Sequence, residues 1–111
     1  MTRPSIERRV HRRFDIACPT TVIDENGREL FRVKTANVSD GGALLQPDVH
    51  AMEPGQGVHL NLRVPRQTPN TFMYEDFFSG ARVIRLQPTG DGSGTATAVM
   101  FAQPLKLELE V

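Results

Sequence analysis

VHLNLRV, residues 58–64, is the clearest strand pattern in this 111-residue chain. Aliphatic residues at positions 58, 60, 62 and 64 alternate with polar residues at positions 59, 61 and 63. This period of two predicts a β-strand with one buried face and one solvent-exposed face, introduced by a turn at Pro54-Gly55. Because no segment of the sequence has a sustained helical repeat, we expect an all-β protein.

Five further segments have weaker strand patterns, at residues 14–23, 29–38, 43–46, 77–86 and 95–101. Turn-forming residues separate them, including Asn26-Gly27, a strong hairpin signal. Pro19 predicts an edge or a bulge in the first strand, and Pro47 is expected to end the third. Residues 66–76 are predicted to form a loop. Six short strands at spacings of about 8–12 residues predict a small antiparallel barrel or sandwich.

The charges of the chain are unevenly distributed, although its net charge is zero. The first thirteen residues contain five arginines and one glutamate, so the remainder is mildly acidic. A basic arm on such a body predicts a local anion site rather than bulk binding of nucleic acid or membrane. The single Cys18 excludes an internal disulfide and is expected to pack in the core. With no apolar leader or membrane-length apolar run, we expect a cytoplasmic protein.

The basic arm contains the stretch ERRVHRRF at residues 7–14. Arg9 and Arg13 are four residues apart, which places them on one side of either a helical turn or an extended segment. A guanidinium can hold two phosphate oxygens at once or chelate the O6/N7 edge of guanine. The pair therefore indicates an anion clamp. A solvated basic N-terminus is the alternative interpretation.

A second polar cluster, NVSDGG, occupies residues 37–42. Asn37 and Ser39 lie two apart at the end of a predicted strand, so their side chains are expected to project together, with groups suited to the edge of a base. Gly41 and Gly42 allow a ligand to approach the backbone closely. The alternative is an ordinary tight turn, which these residue types also favour.

Together the two clusters and the strand pattern resemble the PilZ domain over residues 7 to about 101. This family has the signatures RxxxR and [D/N]xSxxG, and the resemblance implies a six-stranded antiparallel β-barrel that binds cyclic di-GMP. We expect one PilZ-like domain across residues 1–111. Within it, residues 1–13 would form a flexible arginine-rich arm, residues 14–103 the barrel and residues 104–111 a C-terminal tail.

The resemblance also implies which residues contact the ligand. Arg9 and Arg13 match the first signature, with Arg13 directly before the first strand; Arg8 and Arg12 have the same spacing but not that position. Arg8 matches an additional arginine that is associated in the family with binding a stacked ligand dimer. The full ligand-binding set that we expect is Arg8, Arg9, Arg13, Asn37, Ser39, Gly41 and Gly42.

Three features depart from the family pattern. Ala98 stands where the last strand often has glycine, and the loop at residues 66–76 is longer than expected. The sequence also leaves little room after residue 103 for the C-terminal helix that many members carry. The last two departures leave the oligomeric state and the partner surface open.

The expected function is that of a non-enzymatic cyclic di-GMP receptor in bacterial second-messenger signalling, such as control of motility or biofilm formation. The arm would close over the ligand against the barrel and change a surface for a downstream protein partner. One alternative is a PilZ-like adaptor without ligand binding in motility or pilus assembly. Another is a small single-strand nucleic-acid-binding barrel, which the absence of an evident aromatic series on a strand disfavours. We expect no cofactor, no metal site and no membrane partner.

Three other groups of residues are candidates for a function. The three histidines have no metal-ligand spacing with one another or with Cys18, and Glu75-Asp76 has no identifiable catalytic partner. The apolar residues at 72–74 and 77–78 flank this acidic pair. Core packing is the preferred interpretation of this apolar cluster, and a partner-docking or dimer patch is the alternative.

Overall fold

The structure is a computed structural model that describes residues 11–50 and 52–109. Its described part contains six antiparallel strands that close into a barrel in the order β1-β2-β3-β6-β5-β4. The strands are β1 (Pro19–Ile23), β2 (Glu29–Val38), β3 (Gly42–Asp48), β4 (Gly57–Gln67), β5 (Phe72–Pro88) and β6 (Thr95–Phe101). The predicted all-β, six-stranded antiparallel barrel is confirmed. No helix in the described part is long and apolar enough to span a membrane.

Alternating side chains of the strands fill the barrel interior. In β4 the residues Leu60, Leu62 and Val64 are each 1% exposed, while the intervening polar residues face outward. Cys18 is fully buried in the same cluster, as predicted. Burial raises the pKa of the Cys18 thiol, which keeps it in the neutral form that suits an apolar environment.

The C-terminal tail closes one end of the barrel without forming a strand. Leu107 is fully buried in the core cluster, and Leu105 and Leu109 pack against that cluster. The alternating leucines of this segment therefore bury one side of the chain, as they would in a strand. Asp40 holds the tail, because its backbone carbonyl accepts a hydrogen bond from the Leu105 amide at 2.8 Å and its carboxylate accepts one from Leu107 at 3.0 Å.

Two strand boundaries near prolines differ from the prediction. The first strand was expected at residues 14–23, but β1 begins at Pro19 and Phe14 makes only an isolated bridge to Val38. Pro47 does not end the third strand, because β3 continues to Asp48. The register between β3 and β6 shifts between Leu45 and Asp48, and this irregularity accommodates a residue that cannot donate a hydrogen bond.

The predicted loop at residues 66–76 is wrong. β4 and β5 pair without interruption from Gly57 and Arg82 out to Gln67 and Phe72, which leaves only residues 68–71 as the turn. Ion pairs across the two strands neutralise the acidic pair that made this stretch resemble a solvated loop. They join Arg63 to Asp76 at 3.1 Å and Arg66 to Glu75 at 2.9 Å.

The preferred core interpretation of the apolar cluster is also wrong for most of its members. Only Phe77 packs against the core. Phe72, Met73 and Tyr74 are exposed because β5 extends beyond the barrel at this end. Phe78 is exposed because it lies opposite Asn61, on the outer face of the barrel wall.

Candidate functional site

Two backbone hydrogen bonds join the segment after the arginine arm to the end of β2. The Phe14 amide donates to the Val38 carbonyl at 2.8 Å, and the Val38 amide donates to the Phe14 carbonyl at 2.9 Å. This bridge brings Arg13 next to the loop that begins at Ser39. Arg12 takes a different position, with its guanidinium 5.1 Å from the centre of the Phe14 ring.

The loop after β2 is shaped by Ser39. Its amide donates to the Gly42 carbonyl at 2.9 Å, and its hydroxyl oxygen accepts a hydrogen bond from the Gly41 amide at 3.1 Å. Ser39 is only 7% exposed. The hydroxyl therefore has a structural role in the turn, besides any contact that it makes with a ligand.

Each of the two glycines of the loop is in close contact with another part of the chain. A Cβ atom at Gly42 would collide with the carbonyl oxygen of Val99 and lie 3.3 Å from the Cα of Met100. Gly42 thus permits the tight approach of β3 to β6. A Cβ at Gly41 would lie 2.7 Å from Cδ2 of His11, so the histidine ring packs directly on this glycine.

These elements surround a cleft of about 490 Å³. This volume falls within the usual size of a small-molecule site, about 300–1,000 Å³. The cleft combines the two predicted motifs with the outer faces of β5 and β6. It is lined by His11, Arg13, Asn37, Ser39, Gly41, Gly42, Ala43, Leu44, Ile84, Arg85, Ala98, Val99, Met100, Phe101, Ala102 and Pro104.

The cleft presents cationic and apolar groups together. Arg13 and Arg85 contribute guanidinium groups, and Asn37 contributes an amide that can both donate and accept. Ile84 and Met100 are 49% and 53% exposed, and both line the cleft, where they form adjoining apolar surface. A ligand with phosphates and flat heterocycles would satisfy both kinds of group.

The structure brings five of the seven expected site residues to this cleft: Arg13, Asn37, Ser39, Gly41 and Gly42. Arg8 and Arg9 lie outside the described residues. Among those described, no three side chains of His, Cys, Asp or Glu are grouped to hold a metal ion.

Sequence reasoning missed Ile84, Arg85 and Met100. The register between β5 and β6 shifts between Val83 and Arg85, so the period of two does not hold there. An isolated arginine in a strand carries no motif of its own. The neighbouring Ile84 is exposed, but the sequence alone does not show this, because the exposure follows from the irregular pairing of β5 with β6.

The comparison with curated protein sequences gives no match. Among solved structures, the chain is similar to Bacillus subtilis Inhibitor of motility (MotI/DgrA), with a TM-score of 0.72 and 20% sequence identity. The alignment covers 91% of this chain and 45% of that protein, so the chain spans less than half the length of this relative.

A second similar structure is the PilZ domain with c-di-GMP of YcgR from Escherichia coli. It has a TM-score of 0.51 and 13% identity, and the alignment covers 86% of this chain and 79% of that one. At these identities the two structures support the shared fold alone. The sequence model of the PilZ domain matches residues 7–110, which is nearly the whole chain. The chain therefore belongs to the PilZ domain family.

Proposed function

We propose that this protein is a non-enzymatic receptor for cyclic di-GMP that binds the ligand in the cleft between the arginine arm and the barrel. The observation that carries this proposal is the convergence of both signature segments on one cleft. The Phe14–Val38 bridge holds Arg13 beside the loop of Asn37 and Ser39, although 24 positions separate Arg13 from Asn37 in the sequence. The E. coli YcgR domain, a member of the same family, has been solved with c-di-GMP.

Each chemical part of the ligand has a counterpart in the cleft. The guanidinium groups of Arg13 and Arg85 suit the two phosphates. Arg9, which the family signature implies, would supply a third guanidinium from the arm. Asn37 can both donate to and accept from a guanine edge. The exposed side chains of Ile84 and Met100 offer apolar surface against which a purine ring can lie.

The arm, residues 1–13, supplies the remaining contacts by closing over the ligand. Charge-assisted hydrogen bonds contribute about 1.5–3 kcal/mol each. Ordering a chain segment costs about 1–2 kcal/mol per residue, which offsets much of that gain. We therefore expect micromolar to submicromolar affinity that weakens with added salt. Ordering of the arm changes the surface offered to a downstream protein, and this change is the output signal.

Calorimetric titration of cyclic di-GMP tests this function. The wild type is compared with an Arg9→Ala/Arg13→Ala variant and with Arg28→Ala, which removes an exposed arginine outside the cleft. We expect binding by the wild type and Arg28→Ala and at least a tenfold loss in the double variant, about 1.4 kcal/mol. GTP and a short single-stranded RNA serve as ligand controls.

The outcomes separate the proposal from its alternatives. A ratio near two ligands per chain would support a stacked dimer held with the help of Arg8. No binding up to about a millimolar, roughly −4 kcal/mol, would contradict the receptor function and favour an adaptor without a ligand. Binding of RNA with a steep salt dependence would instead favour a nucleic-acid-binding barrel.

A further inference from the structure

One strand of the barrel has an open edge that the cleft does not involve. β6 pairs with residues Ala81 to Pro88 of β5, whereas β4 pairs with residues Phe72 to Arg82 of β5. Within the described part of the chain, residues 72–79 therefore have a neighbouring strand on one side only. An exposed edge of this length is a template for pairing with another strand.

The backbone groups directed at this edge can be assigned from two observations. Pro65, which has no N–H, is opposite Tyr74, so this is a position where β4 and β5 do not exchange hydrogen bonds. Gly80 is an even number of residues from Tyr74, so the backbone groups of both residues point the same way. The Gly80 carbonyl accepts a hydrogen bond from the Ala102 amide, on the side of β5 away from β4. It follows that Tyr74, Asp76 and Phe78 direct their N–H and C=O groups away from β4, toward the open edge.

The side chains along the edge form an exposed aromatic row on one face of the strand, so the expectation that no strand carries an aromatic series is wrong. Phe72 and Phe78 are 58% and 73% exposed. Phe72 packs edge-to-face on Tyr74, with ring centres 5.3 Å apart, and the Arg63 guanidinium lies 4.8 Å from the centre of the Tyr74 ring. Burial of such a row on association is favourable because aromatic side chains supply large apolar areas.

The charges at this edge are balanced within one chain. Asp76 pairs with Arg63 at 3.1 Å and Glu75 pairs with Arg66 at 2.9 Å. The chain as a whole has a net charge of zero. Two copies therefore approach each other without net repulsion, and an acidic or basic partner gains little at this edge.

We propose that the open edge of β5 pairs with the same edge of a second copy of this chain, antiparallel and around a two-fold axis at Asp76. This register pairs residues 73–79 of the two copies and places Tyr74 of each copy opposite Phe78 of the other. The two Asp76 carboxylates face each other at the axis, where like charges are unfavourable. Each is compensated by the Arg63 guanidinium of its own chain at 3.1 Å. Aromatic pairs directly opposite each other are favourable in antiparallel sheets. The two sheets then continue through the interface, on a surface separate from the ligand cleft and independent of the proposed ligand.

Sedimentation equilibrium of the full chain from about 10 µM to about 1 mM tests this dimer. We expect a concentration-dependent monomer–dimer equilibrium that Phe78→Lys weakens by at least about thirtyfold, the lower end of the range for a hot-spot substitution. Val49→Lys replaces an equally exposed apolar residue, 82% exposed and outside the edge, and is expected to leave the equilibrium unchanged. Circular dichroism verifies that both variants remain folded.

Amide hydrogen exchange measured by NMR at low and high protein concentration tests the backbone pairing itself. The N–H groups of Tyr74, Asp76 and Phe78 are expected to become protected as concentration rises. Those of Met73 and Glu75 point toward β4 and are expected to be protected at both concentrations. A protein that stays monomeric up to about 1 mM overturns the proposal. So does a dimer that Phe78→Lys leaves intact or that protects amides elsewhere instead of these three.

Discussion

The carboxylate of Asp40 accepts a hydrogen bond from the backbone amide of Leu107 at 3.0 Å, across 67 positions of the sequence. Asp40 lies inside the loop that forms one wall of the cleft, between Ser39 and Gly41. Leu107 is fully buried at the end of the barrel. One residue thus connects the ligand-binding loop to the tail that closes the core.

Replacement of Asp40 tests this connection. Asp40→Ala leaves the buried Leu107 amide without its acceptor, and we expect a loss of about 1–3 kcal/mol in the free energy of unfolding. Asp40→Asn retains an acceptor oxygen and is expected to lose much less. Urea denaturation of both variants measures the difference. Equal stability of Asp40→Ala and the wild type would show that the carboxylate of Asp40 does not help to hold the tail.

The contribution of the tail to the core is measured by Leu107→Ala. Because Leu107 is 0% exposed, its truncation leaves a cavity, and we expect a loss of about 2–5 kcal/mol in the free energy of unfolding. Lys106→Ala, at the neighbouring exposed position, is expected to change stability by no more than about 0.5 kcal/mol. A small effect of Leu107→Ala in thermal or urea denaturation would mean that the tail does not pack as described.

Gly42→Ala tests the close approach of β3 to β6. The added methyl group meets the Val99 carbonyl oxygen, which is backbone and cannot rotate away, so we expect a loss of about 1–3 kcal/mol. The same change at Gly90, where a Cβ would meet nothing within 4 Å, is expected to be nearly neutral. Both variants are compared by urea denaturation. Similar effects at the two positions would contradict the observed packing of the cleft wall.

The rate of Cys18 alkylation depends on both the burial and the pKa of its thiol. The thiolate is the reactive form, and burial raises the pKa of this thiol, so the native protein contains less thiolate than an unfolded chain at the same pH. We expect iodoacetamide to react at least about a hundredfold more slowly with the native protein than in denaturant. An ordinary thiol, with a pKa of about 8.5, is almost fully ionised above pH of about 10, and the native rate should keep rising with pH beyond that point. Equal rates in the two states would show that Cys18 is accessible.

A strand can be predicted from the sequence when its own residues alternate between apolar and polar. The alternation at residues 58–64 identified the core of β4, because each inward residue is a large aliphatic one. The extension of β5 to Phe72 was missed, since its exposed aromatic residues and its acidic pair do not alternate by polarity. That extension rests on Arg63 and Arg66, which neutralise the acidic pair from the neighbouring strand.

The site residues within one short motif could likewise be predicted, whereas those from distant strands could not. Asn37, Ser39 and Gly42 belong to one short motif, so their common place in the cleft could be expected from the sequence. Arg85 comes from another part of the chain and reaches the cleft through the irregular pairing of β5 with β6. No spacing in the sequence connects it to the two motifs.

The most direct test of the proposed receptor site is an NMR titration of the isotope-labelled full chain with cyclic di-GMP. We expect the largest amide shift changes at residues 9–13 and 37–42 and at Arg85, and we expect the arm signals to become more ordered when the ligand binds. The β4–β5 hairpin at residues 63–76, outside the cleft, serves as the internal control. Unchanged spectra at about a millimolar ligand, or shift changes centred on that hairpin, would contradict the proposed receptor site.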